Sequence, residues 1–397
     1  MVRKVRSSSD SIARALIDHV RARYEGDFIP LHRPVFEANE RRYLVECIDS
    51  NFVSSVGARV TEFEALMARF CQAKAGVATV NGTAALHTAL LICGVRRGDE
   101  VLSQALTFVA TANAISYIGA TPVFVDVDKD TLGMSPHALK HWLEANTDLE
   151  NGERINKTTR ARIAACLPMH TFGLPARIEE ISSICHEFGI LLIEDTAESL
   201  GSYVGDKHTG SFGVAATLSF NGNKVITTGG GGMVVTSDQE LAKKAKHLTT
   251  TAKQAHPYEF CHDETGYNYR LPNLNAALGV AQMETLDETL RIKAEIAQSY
   301  KNLCANKGLH YLDGISGTQP NYWLNAICLA DQLQRDEILK QTNDEGVMTR
   351  PIWRLMTDLP MYASCQHDGL SNSQWLAERV INVPSSVPES EFYRLKA

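Results

Sequence analysis

The stretch I-L-L-I-E-D-T-A-E-S-L-G, residues 190–201, decides how this chain folds. Its first four residues are all apolar, as in a short strand of a parallel sheet that helices cover on both faces. Residues 177–188 before it have the apolar periodicity of a helix, and Gly189 follows as a stop signal. The same alternation of strand and helix begins at Ala75. It predicts an α/β fold with a mainly parallel sheet sandwiched by helices.

The domain organisation follows from length and from a change in composition. A chain of 397 residues favours about two or three domains. Near Asp287 the pattern changes to one long charged helix followed by a mixed segment. We therefore predict an N-terminal extension with an amphipathic surface helix (residues 1–27), a large α/β domain (28–286) and a small C-terminal α+β domain (287–397).

Composition excludes several classes of function. The net charge of −7 offers no basic surface for nucleic acid. No apolar run approaches the roughly 18 residues that span a membrane, and charges interrupt the basic, serine-rich N-terminus, unlike a secretory signal. The nine cysteines have irregular gaps without C-x-x-C, and the histidines lack ligand spacing. These patterns predict no metal site and a reducing, cytoplasmic location.

The stretch V-N-G-T-A-A-L, residues 80–86, predicts an anion site. A strand ends there and a helix begins at once. Thr83 is expected to cap the helix, which would leave the amides of Ala84 and Ala85 pointing outward without partners. Such a helix start binds phosphate well, although a plain helix cap has the same pattern. The stretch is not a P-loop, because G-x-x-x-x-G-K-[ST] is absent.

Two charged residues follow strands that end at the same edge of the predicted sheet. Asp195 closes the apolar strand, where it either caps the next turn or meets a protonated heterocycle nitrogen. Lys224 lies in S-F-N-G-N-K-V-I-T-T-G-G-G-G-M, residues 219–233, and a lysine buried in such a loop can form a Schiff base. Phosphate cradle, Asp195 and Lys224 are the three anchors that pyridoxal phosphate (PLP) requires, and Phe108 can stack on its ring.

Several motifs occur in one order along the chain: N-G-T-A-A-L, T-F-V-A-T-A-N-A-I, F-V-D-V-D, E-D-T-A-E-S-L-G, S-F-N-G-N-K and Y-N-Y-R-L-P-N-L-N-A-A-L-G. With them the chain resembles a fold-type I PLP aminotransferase of the DegT/StrS-type nucleotide-sugar family over roughly residues 28–387. Two features differ from the family pattern. The N-terminal extension is longer, and the C-terminal stretch ends before the last helix would be complete.

The resemblance implies roles for single residues. Lys224 would form the Schiff base and then carry the proton between the cofactor and the substrate carbon. Asp195 would pair with the pyridine nitrogen. Glu198, at a position that is His or Gln in many relatives, would lie near the cofactor's 3-hydroxyl.

Further roles concern the phosphate, the ring and the subunit interface. The phosphate would be held by Gly82, Thr83, Ala84 and Ser219. Phe108 would stack on the ring. Asn268 would reach the phosphate of the neighbouring subunit, which implies a homodimer with shared active sites.

The implied reaction is transamination, because relatives that act as dehydratases carry histidine in place of Lys224. L-glutamate would convert PLP to pyridoxamine phosphate (PMP), which would then aminate a nucleotide-linked keto sugar. F-I-P-L-H-R-P, N-F-V-S-S-V-G, M-T-R-P-I-W and I-N-V-P-S-S look most like the legionaminic acid-type subgroup. That subgroup implies amination at C-4 of UDP-2-acetamido-2,6-dideoxy-4-keto-hexose, for surface polysaccharide or nonulosonic acid synthesis. GDP-4-keto-6-deoxymannose, as in perosamine synthesis, is the alternative.

Two substrate contacts and two other classes of function complete these expectations. Ser55 and Arg350 are predicted to touch the substrate, although a surface salt bridge is the alternative for Arg350. A PLP-binding regulatory or sensor protein could share the scaffold, since fold does not fix function. A glycine-loop nucleotide-binding module without PLP would leave Asp195 and Lys224 unexplained.

Overall fold

The computed structural model describes residues 2–393. The expectation of an incomplete last helix falls partly on residues 394–397, which lie outside the described residues. The α-helices are α1 (Val2–Arg21), α2 (Glu40–Asp49), α3 (Ala58–Phe70), α4 (Gly82–Ile92), α5 (Val109–Ile118), α6 (Pro136–Asn146), α7 (Ile178–Phe188), α8 (Gln239–Thr249), α9 (Asn273–Met283), α10 (Leu286–Lys307), α11 (Gln332–Asp344), α12 (Ser371–Ala377) and α13 (Glu389–Tyr393). The strands are β1 (Ala75–Thr79), β2 (Glu100–Gln104), β3 (Thr121–Val125), β4 (Thr147–Glu150), β5 (Glu153–Asn156), β6 (Ile163–Leu167), β7 (Leu191–Asp195), β8 (Tyr203–Val204), β9 (Lys207–His208), β10 (Ala215–Ser219), β11 (Gly232–Thr236), β12 (His310–Tyr311), β13 (Thr318–Gln319), β14 (Asn325–Cys328), β15 (Arg350–Pro351) and β16 (Val380–Val383).

A seven-stranded sheet with the order β1-β11-β10-β7-β6-β2-β3 forms the centre of the molecule. The five strands from β10 to β3 pair in parallel, whereas β11 is antiparallel to both of its neighbours. The predicted α/β fold with a mainly parallel sheet is therefore confirmed. The reversal at β11 was not predicted, because an entirely buried strand reads the same in either direction.

Local signals explain how the helices around this sheet begin and end. Ser135 caps α6 by accepting a hydrogen bond from the Ala138 amide, and Pro136 occupies the first helical position. Gly189 ends α7 with a φ of 68°, a left-handed conformation that costs glycine little. The chain can then turn directly into β7, which ends at Asp195.

The ends of three adjacent strands meet at Gly232. In the sheet register, Gly232 lies opposite Thr79 at the end of β1 and opposite Ser219 at the end of β10. A Cβ atom on Gly232 would lie 2.5 Å from the carbonyl carbon of Asn81, so no side chain fits there. A Cβ on Gly82 would likewise lie 2.8 Å from the Cβ of Ser219. The start of α4 and the end of β10 are therefore neighbours in space.

A smaller antiparallel sheet has the strand order β12-β14-β16-β15. Its buried side packs against α10 and α11 in a core that also receives one face of α1. That face contains Ile12, Leu16 and Val20, which are buried together with Ile296 and Ile338. The N-terminal helix thus adds a layer to the C-terminal part of the chain.

Within residues 2–393, no helix combines the length and the apolarity needed to cross a bilayer.

The burial of α1 can be tested with Leu16→Ala. Leu16 is 1% exposed, and a buried leucine replaced by alanine costs about 2–5 kcal/mol of unfolding free energy. We expect a loss of that size in denaturant unfolding followed by circular dichroism. Leu333→Ala is the matched control, because Leu333 is 72% exposed and its truncation should stay within about 0.5 kcal/mol. Equal stability of the two variants would show that α1 does not share the core.

Candidate active site

A pocket of about 660 Å³ opens between the carboxyl ends of the central strands and the small sheet. Eight of the predicted site residues line it: Gly82, Thr83, Phe108, Asp195, Glu198, Ser219, Lys224 and Arg350. Ala84, Ser55 and Asn268 are not among its lining residues. Ala84 is buried in the first turn of α4, Ser55 is half-buried, and Asn268 is exposed. The role expected of Asn268 concerns a neighbouring subunit, so it stays a prediction, as does the role of Ser55.

The start of α4 is arranged differently from the expectation. Asn81, not Thr83, caps the helix: its Oδ1 accepts from the Ala84 amide at 2.8 Å, and its carbonyl accepts from the Ala85 amide at 3.1 Å. The outward-pointing amides expected at Ala84 and Ala85 are therefore occupied. Asn81 has extended backbone, which suits the N-cap position, and asparagine is among the best N-caps. The amides of Gly82 and Thr83, which have no intrahelical acceptor, are left for an anion.

Asp195 is a buried carboxylate whose two oxygens have separate donors. Its Oδ2 accepts from the Thr111 hydroxyl at 2.7 Å, and its Oδ1 accepts from the Ala197 amide at 3.1 Å. Burial raises the pKa of Asp195, whereas these two hydrogen bonds and the charge of Lys224 oppose the rise. Its Oδ1 thus stabilises the following turn, as the interpretation of Asp195 as a capping residue predicted. The residue also lines the pocket, as the other required.

Lys224 is enclosed by one carboxylate and one aromatic ring. Its Nζ lies 3.3 Å from Oε1 of Glu198 and 3.9 Å from the centroid of the Trp323 ring. Its side chain is only 14% exposed, so it is not the ordinary surface lysine that its loop could have carried. Such a position favours a lysine that reacts or transfers protons over one that is only a solvated surface charge.

Glu198 is buried beside Lys224, and its second oxygen, Oε2, accepts from the Phe172 amide at 2.9 Å. Phe172 has a φ of 57°, an uncommon conformation for a bulky residue, which aims its amide at Glu198. Burial raises the pKa of Glu198 to about 7, although Lys224 and the Phe172 amide pull it down. Near neutral pH this carboxyl group can therefore either accept or donate a proton.

Aromatic side chains form much of the remaining wall. Phe108 precedes α5 and is 49% exposed, and its ring lies 6.3 Å from that of Trp353. Trp353 in turn lies 5.0 Å from Phe172. Trp323, Trp353 and Arg354 line the pocket but were not found from the sequence. They come from the C-terminal part of the chain. Trp353 ends the quoted stretch M-T-R-P-I-W, but no motif assigned any of the three to the site.

The residues present fit pyridoxal phosphate. The free amides at the start of α4 and the adjacent Ser219 suit a phosphate. The carboxylate of Asp195 is costly to bury without a cation, and a protonated pyridine nitrogen would supply one. Lys224 offers an amine inside the same pocket, and the open face of Phe108 can cover a planar ring. The cavity volume also lies in the range of ligand pockets.

Comparison with protein families gives one match over most of the chain. Residues 34–390 match the DegT/DnrJ/EryC1/StrS aminotransferase family. The matched range includes every pocket-lining residue except Leu31.

Individual relatives and solved structures agree with that match. EpsN of Bacillus subtilis is 38% identical over 335 residues, which are 84% of this chain and 84% of that protein. GDP-perosamine synthase of Vibrio cholerae is 36% identical over 362 residues, 90% of this chain and 94% of that protein. The crystal structure of the aminotransferase TlmJ from Streptoalloteichus hindustanus superimposes with a TM-score of 0.81 at 28% identity, covering 90% of this chain and 93% of that chain.

The environment of Glu198 predicts how stability depends on pH. The pKa of Glu198 is about 7 in the folded protein against 4.5 for an ordinary glutamate, so folding retains a proton that the unfolded chain releases. This residue therefore lowers stability as pH rises through that window. In Glu198→Gln this loss of stability is absent. The unfolding free energy of the variant, relative to that of wild type, should therefore increase from pH 5 to pH 8 by up to about 3 kcal/mol.

The measurement is denaturant unfolding of the cofactor-free protein at both pH values. Glu240→Gln serves as control, because Glu240 is exposed and should show no such trend. A stability difference for Glu198→Gln that does not change with pH would contradict the assigned environment.

Proposed function

We propose that this chain, which belongs to the DegT/DnrJ/EryC1/StrS aminotransferase family, transfers an amino group from L-glutamate to C-4 of a nucleotide-linked 4-keto-6-deoxy sugar. Membership of that family makes the protein a PLP-dependent sugar aminotransferase. The proposal concerns the sugar, the carbon atom and the amino donor. The observation that carries amino-group transfer itself is Lys224, held in the pocket between Glu198 and Trp323, with Asp195 lining the same pocket.

Each of these residues has a definite task in the proposed reaction. When bound, PLP supplies an electron sink for the carbon that loses its proton. The Lys224 amine would accept that proton and donate it again, as the general base and general acid of the reaction. Glu198 lies 3.3 Å from this amine and can exchange a proton with it near neutral pH. Asp195, fixed by Thr111 and Ala197, would hold the pyridine nitrogen and favour its protonated form.

The pocket rim supports a substrate with phosphate groups. In the part of the chain that the structure describes, the guanidinium of Arg350 donates only to the Asn343 side chain at 3.0 Å and to the Thr349 carbonyl at 3.1 Å. Within residues 2–393 neither Arg350 nor Arg354 forms an ion pair with an acid, so the surface salt bridge considered for Arg350 is absent there. Two exposed guanidinium groups at the edge of a pocket suit the diphosphate of a nucleotide sugar.

Two nucleotide sugars are candidates. The legionaminic-type motifs favour UDP-2-acetamido-2,6-dideoxy-4-keto-hexose. GDP-4-keto-6-deoxymannose is the second candidate, because GDP-perosamine synthases are 36% and 35% identical to this chain. Ser55 stays a proposed substrate contact.

We also propose a homodimer, a cytoplasmic location, and an N-terminal extension (residues 1–27) followed by a large domain (28–286) and a small domain (287–397). Phe52 and Val56 are exposed next to Ser55, and Tyr258 and Phe260 are among the most exposed apolar residues of the described chain. Large exposed apolar side chains favour burial against a partner.

The cysteines are all unpaired, which fits a reducing compartment.

The role of Lys224 is tested with Lys224→Ala. We expect loss of the visible absorbance of the PLP-loaded protein and a fall in turnover of at least about 10²-fold, because both the cofactor link and the proton carrier are removed. Lys243→Ala is the control, since Lys243 forms only an exposed ion pair with Glu240. A colourless Lys224→Ala variant with wild-type turnover would contradict the mechanism.

The substrate is tested with a panel of UDP-, GDP- and dTDP-linked keto sugars, with L-glutamate as donor. Products are read by mass, and the amine position is assigned by NMR. We expect amination at C-4 with one nucleotide strongly preferred. A glutamate-responsive absorbance without turnover of any sugar would instead favour the sensor interpretation, and amination at C-3 would contradict the assigned position.

A further inference from the structure

A fully buried lysine, Lys293 on α10, lies outside the catalytic set. Its Nζ donates to the Ser385 carbonyl at 2.8 Å and to the Trp323 carbonyl at 3.1 Å, and it lies 3.1 Å from Nε2 of His32. These three partners use all three N–H bonds of an ammonium group. No carboxylate in the described part of the chain forms an ion pair with it, and burial lowers its pKa to about 7. Such a group is costly, since an apolar side chain of similar length could fill the space at less expense.

The contact with Trp323 connects Lys293 to the reactive lysine. The indole N–H of Trp323 donates to the Asn223 carbonyl at 2.6 Å, and its ring faces the Nζ of Lys224 at 3.9 Å. The Trp323 amide donates to Asn321 at 2.8 Å. The tryptophan is thus fixed at its carbonyl by Lys293 and at its amide by Asn321. Its side chain then fixes both the backbone before Lys224 and the amine itself.

His32 adds a second contact between Lys293 and the Lys224 loop. Its ring is half-buried and lies between Lys293 and the Asn223 backbone. Burial lowers the pKa of His32, and the charges of Lys293 and Lys224 lower it further. The ring is therefore neutral and can accept the third N–H of Lys293 at Nε2.

We propose that Lys293 is a positioning residue that, through Trp323, holds the Lys224 amine in the direction required for proton transfer. The same unit, formed by Lys293, His32 and Trp323, joins the small sheet to the Lys224 loop. This inference rests on Lys224 being the reacting amine, as in the proposed function, but it does not depend on which sugar is aminated. The residue that orients the Lys224 amine thus lies 69 positions after it in the sequence.

The test uses Lys293→Met and Trp323→Phe in the PLP-loaded enzyme. Lys293→Met keeps an unbranched side chain of similar length but releases the carbonyls of Trp323 and Ser385 and the ring of His32. Trp323→Phe keeps an aromatic face but removes the N–H that holds Asn223, together with one ring of the indole. We expect kcat to fall about tenfold or more with Lys293→Met, with KM for both substrates within about threefold, because a misplaced group slows chemistry more than binding. Trp323→Phe should change kcat in the same direction by a smaller factor.

A second readout does not depend on turnover. Borohydride reduction followed by peptide mass analysis measures the fraction of cofactor that is covalently linked to Lys224, and the visible spectrum reports the same link. We expect both variants to lower the linked fraction and to shift the absorbance band. If wild type aminates no sugar, the sugar proposal fails, whereas these two measurements still decide the role of Lys293.

Lys301→Met is the matched control. Lys301 lies on the same helix and binds Asp313 at 2.6 Å and the Tyr322 hydroxyl at 3.1 Å, but it has no contact with the Lys224 loop. It should keep the wild-type kcat and linked fraction. A Lys293→Met protein that melts earlier yet retains wild-type kcat, spectrum and linked fraction would overturn the proposal. If Lys293→Met does not fold, a wild-type linked fraction and kcat in Trp323→Phe would overturn it instead.

Discussion

The close backbone approach at Gly232 is the constraint on which the site depends. Gly232 lies between Thr79 and Ser219 in the sheet and leaves no space for a Cβ atom against Asn81. Because β11 runs against its neighbours, its first residue lies beside the last residues of the strands on either side. The start of α4 and the end of β10 are thereby held together, and two parts of the chain that are distant in sequence form one candidate anion site. A side chain at this position would separate them.

The second side of the site comes from the segment just before β14. Asn321 donates to the carbonyls of Glu198 at 2.8 Å and Leu200 at 2.9 Å, while Trp323 faces Lys224. One short segment of the C-terminal part therefore contacts both ionisable residues that face each other in the pocket. The relative position of the two parts of the chain and the geometry of the Lys224–Glu198 pair are thus coupled. A shift of the small sheet would move the carboxyl group and the amine together.

The sequence predicted the central part of the site because local rules are sufficient there. Apolar strands are followed by Asp195 and Lys224, and carboxyl ends of parallel strands lie at one edge of the sheet, so these residues had to meet. The N-cap of α4 was misassigned because both Asn81 and Thr83 are acceptable caps, and only the extended backbone at Asn81 decides between them. Trp323 was missed for another reason. Its position depends on how the small sheet packs against the large one, and no periodicity in the sequence encodes that contact.

Burial explains why these groups work as a set. Asp195, Glu198 and Lys293 are each almost fully removed from water, and in each case burial disfavours the charged form. Burial raises the pKa of the two acids and lowers the pKa of the lysine. Glu198 and Lys293 therefore both titrate near neutral pH. A fold selected for stability alone would avoid three such groups within one region, since each costs free energy that apolar side chains would not. The proposed function gives their cost a reason. If Lys224 transfers protons repeatedly, it must keep one orientation, and rigid hydrogen-bonded neighbours supply that orientation where solvent would not.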